Sequence, residues 1–490
     1  MKKSSIVLLI VSLIVIVFSV TYAFFKIQII GDAKNITVNS KDLKIVFNGG
    51  DSITGSELEQ FNYSKTFTIE NKSDNTYKYN IIIKDLVNTF KTDGFLLYKI
   101  TSDNNGYSMN DFDDVPKSET EFDTVLAYNV SIDAGKKQTY TIEFKYTNSA
   151  DTDQSDDMEA ILSGKVFIDE GTEEPKTLYE QLLSDKTTRP GARTDFSTIL
   201  TTDNTKTLYT GTEDNTTVYY FAGNATDNWV KFGGFYWRII RTNSDGGVRL
   251  LYHGTSTAAT DAYIGTSAFN TISNDPMYVG YKYGTIGSLE NNRTNENSST
   301  IKTYLDNWYK NNLTVYTKYL SGDAVYCNDR NLASGQTYST TSKFNYATYE
   351  RIITNKQPTY NCTTISDAFS VNNTSAKLDY PIGLMTIDEA VFAGGVGLTK
   401  SPTWYYYNSA NGSSTGLTNW WLLTSYVWFE NNTYAFSVSG SSTPGFLDND
   451  TVKKTLSVRP VISLKSCIKY STGNGTAENP YTILETGSGC

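Results

Sequence analysis

The chain has 490 residues, with 52 acidic side chains against 42 basic ones and a formal net charge of −10 at pH 7. This length leaves room for more than one domain with its own core. The acidic balance argues against nucleic acid or anionic lipid headgroups as the main partner, because phosphate groups would be repelled.

The first predicted element is a hydrophobic segment at residues 1–25, where Lys2 and Lys3 precede an apolar run. A run of about 20 such residues can cross a bilayer as a helix, and positive charge before it favours an amino terminus left in the cytosol. Thr21 and Ala23 also fit a signal-peptidase site, with cleavage after Ala23. The segment is therefore either a single-pass membrane anchor or a signal peptide. Both alternatives place the rest of the chain outside the cell, membrane-bound or secreted.

Tryptophan and cysteine usage indicates a domain boundary. All seven tryptophans lie at or beyond Trp229, and all four cysteines are in the same half. Two differently built cores explain this distribution better than one. We therefore predict a β-sandwich domain at residues 26–170, a linker with a short helix at 171–190, and an α+β domain at 191–490.

The first predicted domain consists of short segments in which apolar and polar residues alternate. Tyr140, Ile142 and Phe144 show this period of two, which is typical of a strand with one buried face. Seven or eight such strands, separated by turn signals and without helical stretches, predict an immunoglobulin-like or jelly-roll sandwich. The candidate strands are residues 43–47, 65–70, 77–83, 95–100, 125–132, 140–145 and 161–168.

The second predicted domain mixes a few helices with aromatic strands, which indicates an α+β fold. Thr177 and Glu180 form a predicted capping box at the start of a short helix, and Thr386 and Glu389 form another. A third helix is predicted at residues 300–311. The candidate strands are 218–221, 229–232, 235–241, 248–252, 420–425, 434–438 and 456–464. A turn at Asp245-Gly246-Gly247 makes the third and fourth of these a hairpin.

Two parts of the chain resemble known families. Residues 384–395 resemble a helix of the formylglycine-generating-enzyme (sulfatase-modifying factor) branch of the C-type lectin fold. Residues 420–425, followed by 457–461, resemble the paired tryptophans and closing Val-Arg-Pro strand of an uncharacterised bacterial surface domain in that branch. This likeness spans residues 219–464 and implies a C-type-lectin-like domain. Residues 21–25 and 164–166 are similar to camelysin-like β-sandwich proteins of Gram-positive biofilm matrices.

The resemblance does not carry an activity with it. The enzyme of this branch works through a copper-binding cysteine pair, but Cys467 and Cys490 lack the motif that surrounds that pair. Calcium-dependent lectins read sugars with Glu-Pro-Asn or Gln-Pro-Asp triplets together with Trp-Asn-Asp, and the sequence contains none of these. Neither catalysis nor calcium-bridged sugar binding therefore transfers to this chain.

Recognisable catalytic patterns are scarce. His253 is the only histidine, so a histidine pair for zinc is excluded, and there is no Cys-x-x-Cys. Residues 412–416 match the Gly-x-Ser-x-Gly string, but they lie in an Asn/Ser/Gly-rich stretch and are better interpreted as a loop. The sequence therefore predicts no catalytic residue and no cofactor, with calcium as the one ion for which it offers ligands.

Two acidic loops offer oxygen ligands of the kind that calcium prefers. A solvated acidic turn is the alternative interpretation of both. The candidate ligands are Asp151, Asp153, Asp157, Asp448 and Asp450.

The four cysteines indicate disulfide bonds, because an even number of cysteines outside the cell usually pairs. They allow three connectivities, and we expect the nearest-neighbour pairs Cys327–Cys362 and Cys467–Cys490. Free thiols are the alternative, since some exported proteins meet no oxidising conditions.

Aromatic residues on polar ground are the predicted ligand-binding residues. Flat rings with polar tips can stack on sugars or anchor a protein partner, and burial beneath loops is the alternative. The candidates are Trp404, Tyr405, Tyr406, Tyr407 and Trp428. We expect Trp420 and Trp421 in the core instead, because they open an apparent central strand, and Arg459 as a buried hydrogen-bonded group.

The sequence as a whole predicts a bacterial cell-surface binding protein, similar to an adhesin. In this hypothesis a β-sandwich stalk presents a lectin-like head to an extracellular glycan or protein. One alternative is a structural subunit of a matrix or fibre that polymerises by strand exchange. Another is an enzyme on the formylglycine-generating scaffold.

Overall fold

The computed structural model describes residues 25–31, 36–40, 43–57, 60–200, 206–259, 262–400, 419–440, 445–485 and 489–490. The predicted membrane segment, apart from Phe25, and the predicted binding cluster at residues 404–407 lie outside these ranges. No helix within them is both long enough and apolar enough to cross a membrane.

The described chain is rich in β-structure and forms two compact units, with the boundary along the chain between Glu174 and Pro175. The described part of unit 1 comprises residues 25–174 and Glu485. Unit 2 comprises residues 175–484 with 489–490.

Unit 1 is built from strands that form two sheets. The first sheet has the order β4-β1-β11-β6-β9 and the second has the order β2-β3-β5-β10-β7-β8. A 3-10 helix at Ser155–Asp157 precedes the last strand. The strands are β1 (Phe25–Ile30), β2 (Ile36–Ser40), β3 (Leu43–Asn48), β4 (Ile53–Glu57), β5 (Phe61–Asn71), β6 (Tyr77–Asn88), β7 (Leu96–Ser102), β8 (Asp113–Asp114), β9 (Ser118–Ile132), β10 (Lys137–Tyr146) and β11 (Ile161–Glu170).

The two sheets of unit 1 share one hydrophobic core, as in a β-sandwich. Ile81 on β6 and Leu162 on β11 belong to the same buried cluster as Phe67 on β5 and Ile142 on β10. Buried and partly exposed residues alternate along β10, which confirms the strand predicted from its period of two. β1 was not among the predicted strands, although residues 26–30 lie in the predicted sandwich domain. Lys26 to Ile30 pair in parallel with Ile161 to Lys165 of β11.

The helices of unit 2 are short. Both predicted capping boxes are confirmed, at Thr177 with Glu180 and at Thr386 with Glu389. The helices are α1 (Leu178–Asp185), α2 (Leu289–Asn292), α3 (Thr300–Asn312), α4 (Ala347–Tyr349) and α5 (Ile387–Phe392). Further turns of 3-10 helix lie at Pro276–Val279, Thr314–Tyr319, Ile365–Asp367 and Thr374–Ala376, and a π-helical turn lies at Glu350–Thr354.

The strands of unit 2 form two larger sheets and two small strand pairs. They are β12 (Thr187–Thr188), β13 (Thr207–Glu213), β14 (Thr216–Tyr220), β15 (Trp229–Phe232), β16 (Phe235–Thr242), β17 (Val248–Gly254), β18 (Thr266–Ala268), β19 (Lys282–Tyr283), β20 (Asn297–Ser298), β21 (Tyr326–Cys327), β22 (Phe344–Asn345), β23 (Ala368–Phe369), β24 (Trp420–Phe429), β25 (Asn432–Val438), β26 (Leu447–Thr451), β27 (Thr455–Ser457), β28 (Val461–Leu464), β29 (Tyr470–Thr472) and β30 (Tyr481–Ile483).

The first large sheet of unit 2 joins strands from both ends of the unit. Its order is β12-β13-β14-β16-β15-β30-β29, and β17 pairs with both β16 and β28. The second sheet has the order β18-β27-β24-β25-β26, with β22 added to β24. The predicted hairpin of β16 and β17 is confirmed, with Thr242 opposite Val248.

A single aromatic-rich core fills unit 2. Trp420 and Trp421 are fully buried, which confirms their predicted place in the core. Arg459 is also fully buried, and its guanidinium donates hydrogen bonds to the carbonyl oxygen of Tyr252. Its predicted structural role is therefore confirmed.

Candidate ligand-binding cavity

The predicted aromatic binding surface needs one correction. Trp428 lies in β24 and is only 1 % exposed, whereas its neighbour Phe429 is 38 % exposed. Successive side chains of a strand point to opposite faces, and here the tryptophan takes the inner face. Its ring offers no surface to a ligand, so Trp428 is a core residue. Trp404, Tyr405, Tyr406 and Tyr407 lie outside the described residues.

The predicted calcium ligands are not brought together. Asp157 is fully buried, and its carboxylate accepts hydrogen bonds from the Thr92 backbone at 3.0 Å and from the Tyr146 hydroxyl at 2.9 Å. Asp450 instead pairs with Lys454 at 2.5 Å. Across the described ranges, no group of three or more His, Cys, Asp or Glu side chains lies close enough to hold a metal ion. Asp151 and Asp153 are exposed, and Asp448 is half-buried beside Asp450 on β26.

The predicted cysteine pairing is confirmed. Cys327 is bonded to Cys362, with the two Cα atoms 5.7 Å apart, and Cys467 is bonded to Cys490, with the Cα atoms 5.4 Å apart. The first bond joins β21 to the segment at residues 359–362. This segment forms part of a cavity in unit 2.

The cavity begins at the β13–β14 hairpin. Glu213 lies opposite Thr216, which leaves Asp214 and Asn215 as a two-residue turn. Their φ angles are 48° and 65°, the left-handed conformation that a type I′ turn requires and that Asp and Asn tolerate better than most residues. The backbone N–H of Asp214 donates to the side-chain oxygen of Asn361 at 2.8 Å. The turn is therefore tied to the disulfide-linked segment.

The second wall of the cavity is the β16–β17 turn, residues 243–247. The backbone N–H of Asn243 donates to the carbonyl of Gly247 at 2.8 Å, and Gly246 has a φ of 82°, which glycine adopts without a steric cost. The carboxylate of Asp245 accepts from the N–H of Gly247 at 2.7 Å. These contacts fix the turn beside the β13–β14 hairpin, because the N–H of Ser244 donates to the carboxylate of Glu213 at 2.7 Å.

The third wall is the segment that leads into β21, with Asp323, Ala324 and Val325. Asp323 accepts a hydrogen bond from the side chain of Asn372 at 2.8 Å. Together the walls enclose a cavity of about 160 Å³. Its lining residues are Glu213, Asp214, Asn243, Ser244, Asp245, Asp323, Ala324, Val325, Tyr360 and Cys362.

A buried ionic network lies beneath the cavity and lines a smaller neighbouring one of about 20 Å³. Three arginines and four carboxylates form it, so its cations are matched by anions. The contacts are Arg241–Glu213 at 2.7 Å, Arg241–Glu389 at 3.2 Å, Arg249–Glu389 at 2.7 Å, Arg351–Asp388 at 2.8 Å and Arg351–Asp329 at 2.9 Å.

Opposing effects set the pKa values of two carboxyls in this network. Burial acts to raise the pKa of Glu213, but the charge of Arg241 and its hydrogen bond outweigh burial and leave the pKa below its ordinary value. Burial dominates at Asp329 and raises its pKa despite the charge of Arg351. Glu213 is therefore the anion that the network stabilises beside the cavity.

Three exposed carboxylates surround the cavity, and we call Asp214, Asp245 and Asp323 the rim. Within the described ranges, no Lys or Arg nitrogen lies within 4.0 Å of a rim carboxylate oxygen. The hydrogen-bond donors to Asp245 and Asp323, the N–H of Gly247 and the side-chain amide of Asn372, are neutral. The rim therefore adds negative charge that the protein does not compensate locally.

Asn243 is the unusual residue of the lining. It is only 7 % exposed, and neither the oxygen nor the nitrogen of its side-chain amide has a hydrogen-bond partner among the described residues. Leaving a buried polar group unsatisfied costs about 1–3 kcal/mol, and such groups are rare in native proteins. A ligand that hydrogen-bonds to this amide would offset the cost.

Known proteins provide no further guide. No family model, curated protein or solved structure matches this chain.

Tyr360 is the one aromatic residue of the described lining, and both of its faces are occupied. The guanidinium carbon of Arg241 lies 4.5 Å from the ring centroid, and the ring of Phe392 is stacked at 4.0 Å with an interplanar angle of 17°. Tyr360 therefore has no free face on which a sugar could stack.

The sequence alone predicts only part of this cavity. Asp245-Gly246-Gly247 was recognised as a turn, but Asp214-Asn215 was not, although two turn-forming residues before a β-branched run indicate a hairpin. Asn243 and Asp323 gave no local signal. His253, the only histidine, is fully buried with its ring centroid 4.4 Å from that of Trp229, and it does not line the cavity.

Proposed function

We propose that the protein is a bacterial cell-surface binding protein, similar to an adhesin, in which unit 2 captures an extracellular ligand through the loop cavity. The observation that carries this proposal is Asn243. A buried amide without a partner, in a cavity whose rim carries uncompensated charge, is a cost to folding that a bound ligand would reduce. A buried polar group without a partner calls for an explanation, and a functional role is one of them.

In this proposal residues 1–25 anchor the protein in the membrane or direct its secretion, and unit 1 serves as the stalk. Unit 1 would then be an immunoglobulin-like or jelly-roll sandwich, which two sheets over one core support. Unit 2 would be a C-type-lectin-like head, which a few short helices beside two large sheets support. Two disulfides in unit 2 are consistent with an extracellular location.

The experiment is capture from a glycan and protein array by the purified ectodomain, Lys26 onward. The wild type should capture a ligand, and Asn243→Leu should lose it because leucine cannot hydrogen-bond. The double variant Trp404→Ala/Tyr406→Ala should retain capture. No capture by the wild type would overturn the proposal, and loss in the aromatic variant alone would move the site to residues 404–407.

One observation favours a second candidate, the structural subunit of a matrix or fibre. The first strand, β1, lies between β4 and β11 and buries Ile27 and Ile29 completely. A short strand at an interior position of a sheet can be supplied by another copy of the chain. Electron microscopy of the purified ectodomain tests this: fibres support the matrix subunit, and a stable monomer that retains its ligand supports the binding protein.

A further inference from the structure

We infer that the cavity of unit 2 receives the ammonium group of a lysine side chain on a protein partner. This inference rests on the proposed function and names the chemistry of its ligand. It starts from the three rim carboxylates, Asp214, Asp245 and Asp323, which come from three separate loops.

The charge balance selects a cation. The network beneath the cavity contains Arg241, Arg249 and Arg351 against four carboxylates, so its arginines are already engaged. The rim adds three more carboxylates without a cationic partner among the described residues. A positively charged group is therefore attracted to this opening, and an anionic group is repelled.

The shape of the cavity favours an organic cation over a bare metal ion. Its volume of about 160 Å³ is many times the roughly 10–15 Å³ that a cavity needs to hold one water molecule. The rim carboxylates also do not belong to any group of three ligating side chains close enough to share an ion within the described ranges. A lysine side chain is large enough to fill this cavity, whereas a single metal ion would leave most of it empty.

The chemistry of the walls favours lysine. An ammonium group is a compact charge with three rotatable N–H donors, so it can bind one rim carboxylate together with neutral oxygen acceptors, whereas a planar guanidinium prefers one carboxylate in a bidentate geometry. The oxygen of Asn243 is a further acceptor. Ala324 and Val325 provide apolar surface for the methylene stem.

An amino sugar on a glycan carries the same ammonium group, but the lining lacks what a sugar ring uses. Tyr360 has both faces covered by Arg241 and Phe392. The described lining therefore offers no exposed aromatic face on which a sugar ring could stack. We therefore assign the ammonium to a protein.

The test uses the purified ectodomain and fluorescent peptides with the sequence Gly-Ser-Lys-Lys-Lys-Ser-Gly. Matched peptides replace the lysines with norleucine or arginine, and a glucosamine tetramer serves as competitor. Fluorescence polarisation should show binding of the lysine peptide at least about tenfold tighter than the norleucine peptide, tighter than the arginine peptide, and weaker as salt is raised.

The decisive variant is Asp214→Asn/Asp245→Asn/Asp323→Asn. Asparagine keeps the local hydrogen-bond acceptors and tolerates the positive φ of residue 214, so the loops should keep their conformation. The control Glu296→Gln/Glu430→Gln/Glu478→Gln changes the net charge equally at exposed positions away from the cavity. The rim variant should lose about tenfold in affinity and the control less than about twofold.

Three results would overturn the inference: equal affinity of wild type and rim variant, equal affinity for the lysine and norleucine peptides, or tighter binding of the glucosamine tetramer. If Asn243→Leu still abolishes capture from the array in any of these cases, the proposed function stands and only the lysine assignment fails. If the wild type captures nothing from the array, the proposed function fails as well.

Discussion

Nη2 of Arg241 lies 2.7 Å from Oε1 of Glu213, and both side chains are almost completely buried. Glu213 lines the cavity, and Arg241 extends from it to Glu389 in the capping box of α5. This ion pair therefore connects the wall of the candidate binding site to the helix beneath it. Its integrity should matter both for stability and for the shape of the cavity.

Replacing Arg241 by methionine should destabilise unit 2 strongly. The variant leaves the carboxylate of Glu213 buried without its cationic partner and removes one of the two arginines that neutralise Glu389. Losing one member of a buried ion pair costs about 3–5 kcal/mol. Urea unfolding followed by tryptophan fluorescence measures the change, since all tryptophans lie in unit 2. The control Lys454→Met removes a half-exposed lysine, and Asp450 keeps the hydrogen bond from the Ser437 hydroxyl, so this variant should cost under about 1 kcal/mol. Equal effects of the two variants would contradict the buried network.

The same pair should make stability depend on pH. The folded-state pKa of Glu213 lies below its ordinary value of 4.5, so its charge stabilises the folded protein above the unfolded-state pKa. This contribution is lost as the pH falls through the folded-state pKa. The free-energy difference between wild type and Glu213→Gln should therefore be largest near neutral pH and shrink in acid. A difference that grows as the pH falls would contradict the assignment.

Asn243→Leu should abolish ligand binding without lowering the stability of the protein. The amide has no partner among the described residues, so replacing it by an apolar side chain of similar size should leave the protein equally stable or more stable by about 1–2 kcal/mol. Ligand capture should be lost. Thermal unfolding and array capture measure the two properties. A clear loss of stability would show that the amide is a satisfied structural group.

The two disulfides should differ in their effect on binding. Each closes a loop, of 35 residues for Cys327–Cys362 and of 23 for Cys467–Cys490, and chain entropy assigns each about 3–4 kcal/mol. Cys327→Ser/Cys362→Ser should also reduce capture, because it releases the cavity wall at residues 359–362. Cys467→Ser/Cys490→Ser should lose similar stability but retain capture under conditions where it remains folded. Equal capture by both double variants would argue against the cavity.

Much of the fold could be predicted from local patterns. Alternation predicted β10, the capping boxes predicted the starts of α1 and α5, and the turn at residues 245–247 predicted the β16–β17 hairpin. These features depend on residues close together in the chain. Nearest-neighbour pairing of the cysteines was also correct.

The cavity was harder to predict because its residues come from distant parts of the chain. Asp214, Asp245 and Asp323 line one cavity only after β13–β14 and β16–β17 have paired and the segment before β21 has packed beside them. The prediction that Trp428 binds a ligand was wrong, because the polar residues near it in the sequence do not show which face of β24 is buried. β13 was not predicted because residues 207–213 show no regular alternation of apolar and polar side chains.

Hydrogen–deuterium exchange of the ectodomain, with and without the partner captured from the array, tests the central claim most directly. The account predicts slower exchange on binding at residues 213–215, 243–247, 321–325 and 359–362, the segments that line the cavity. Slower exchange confined to residues 401–418 or to unit 1, with these four segments unchanged, would contradict it.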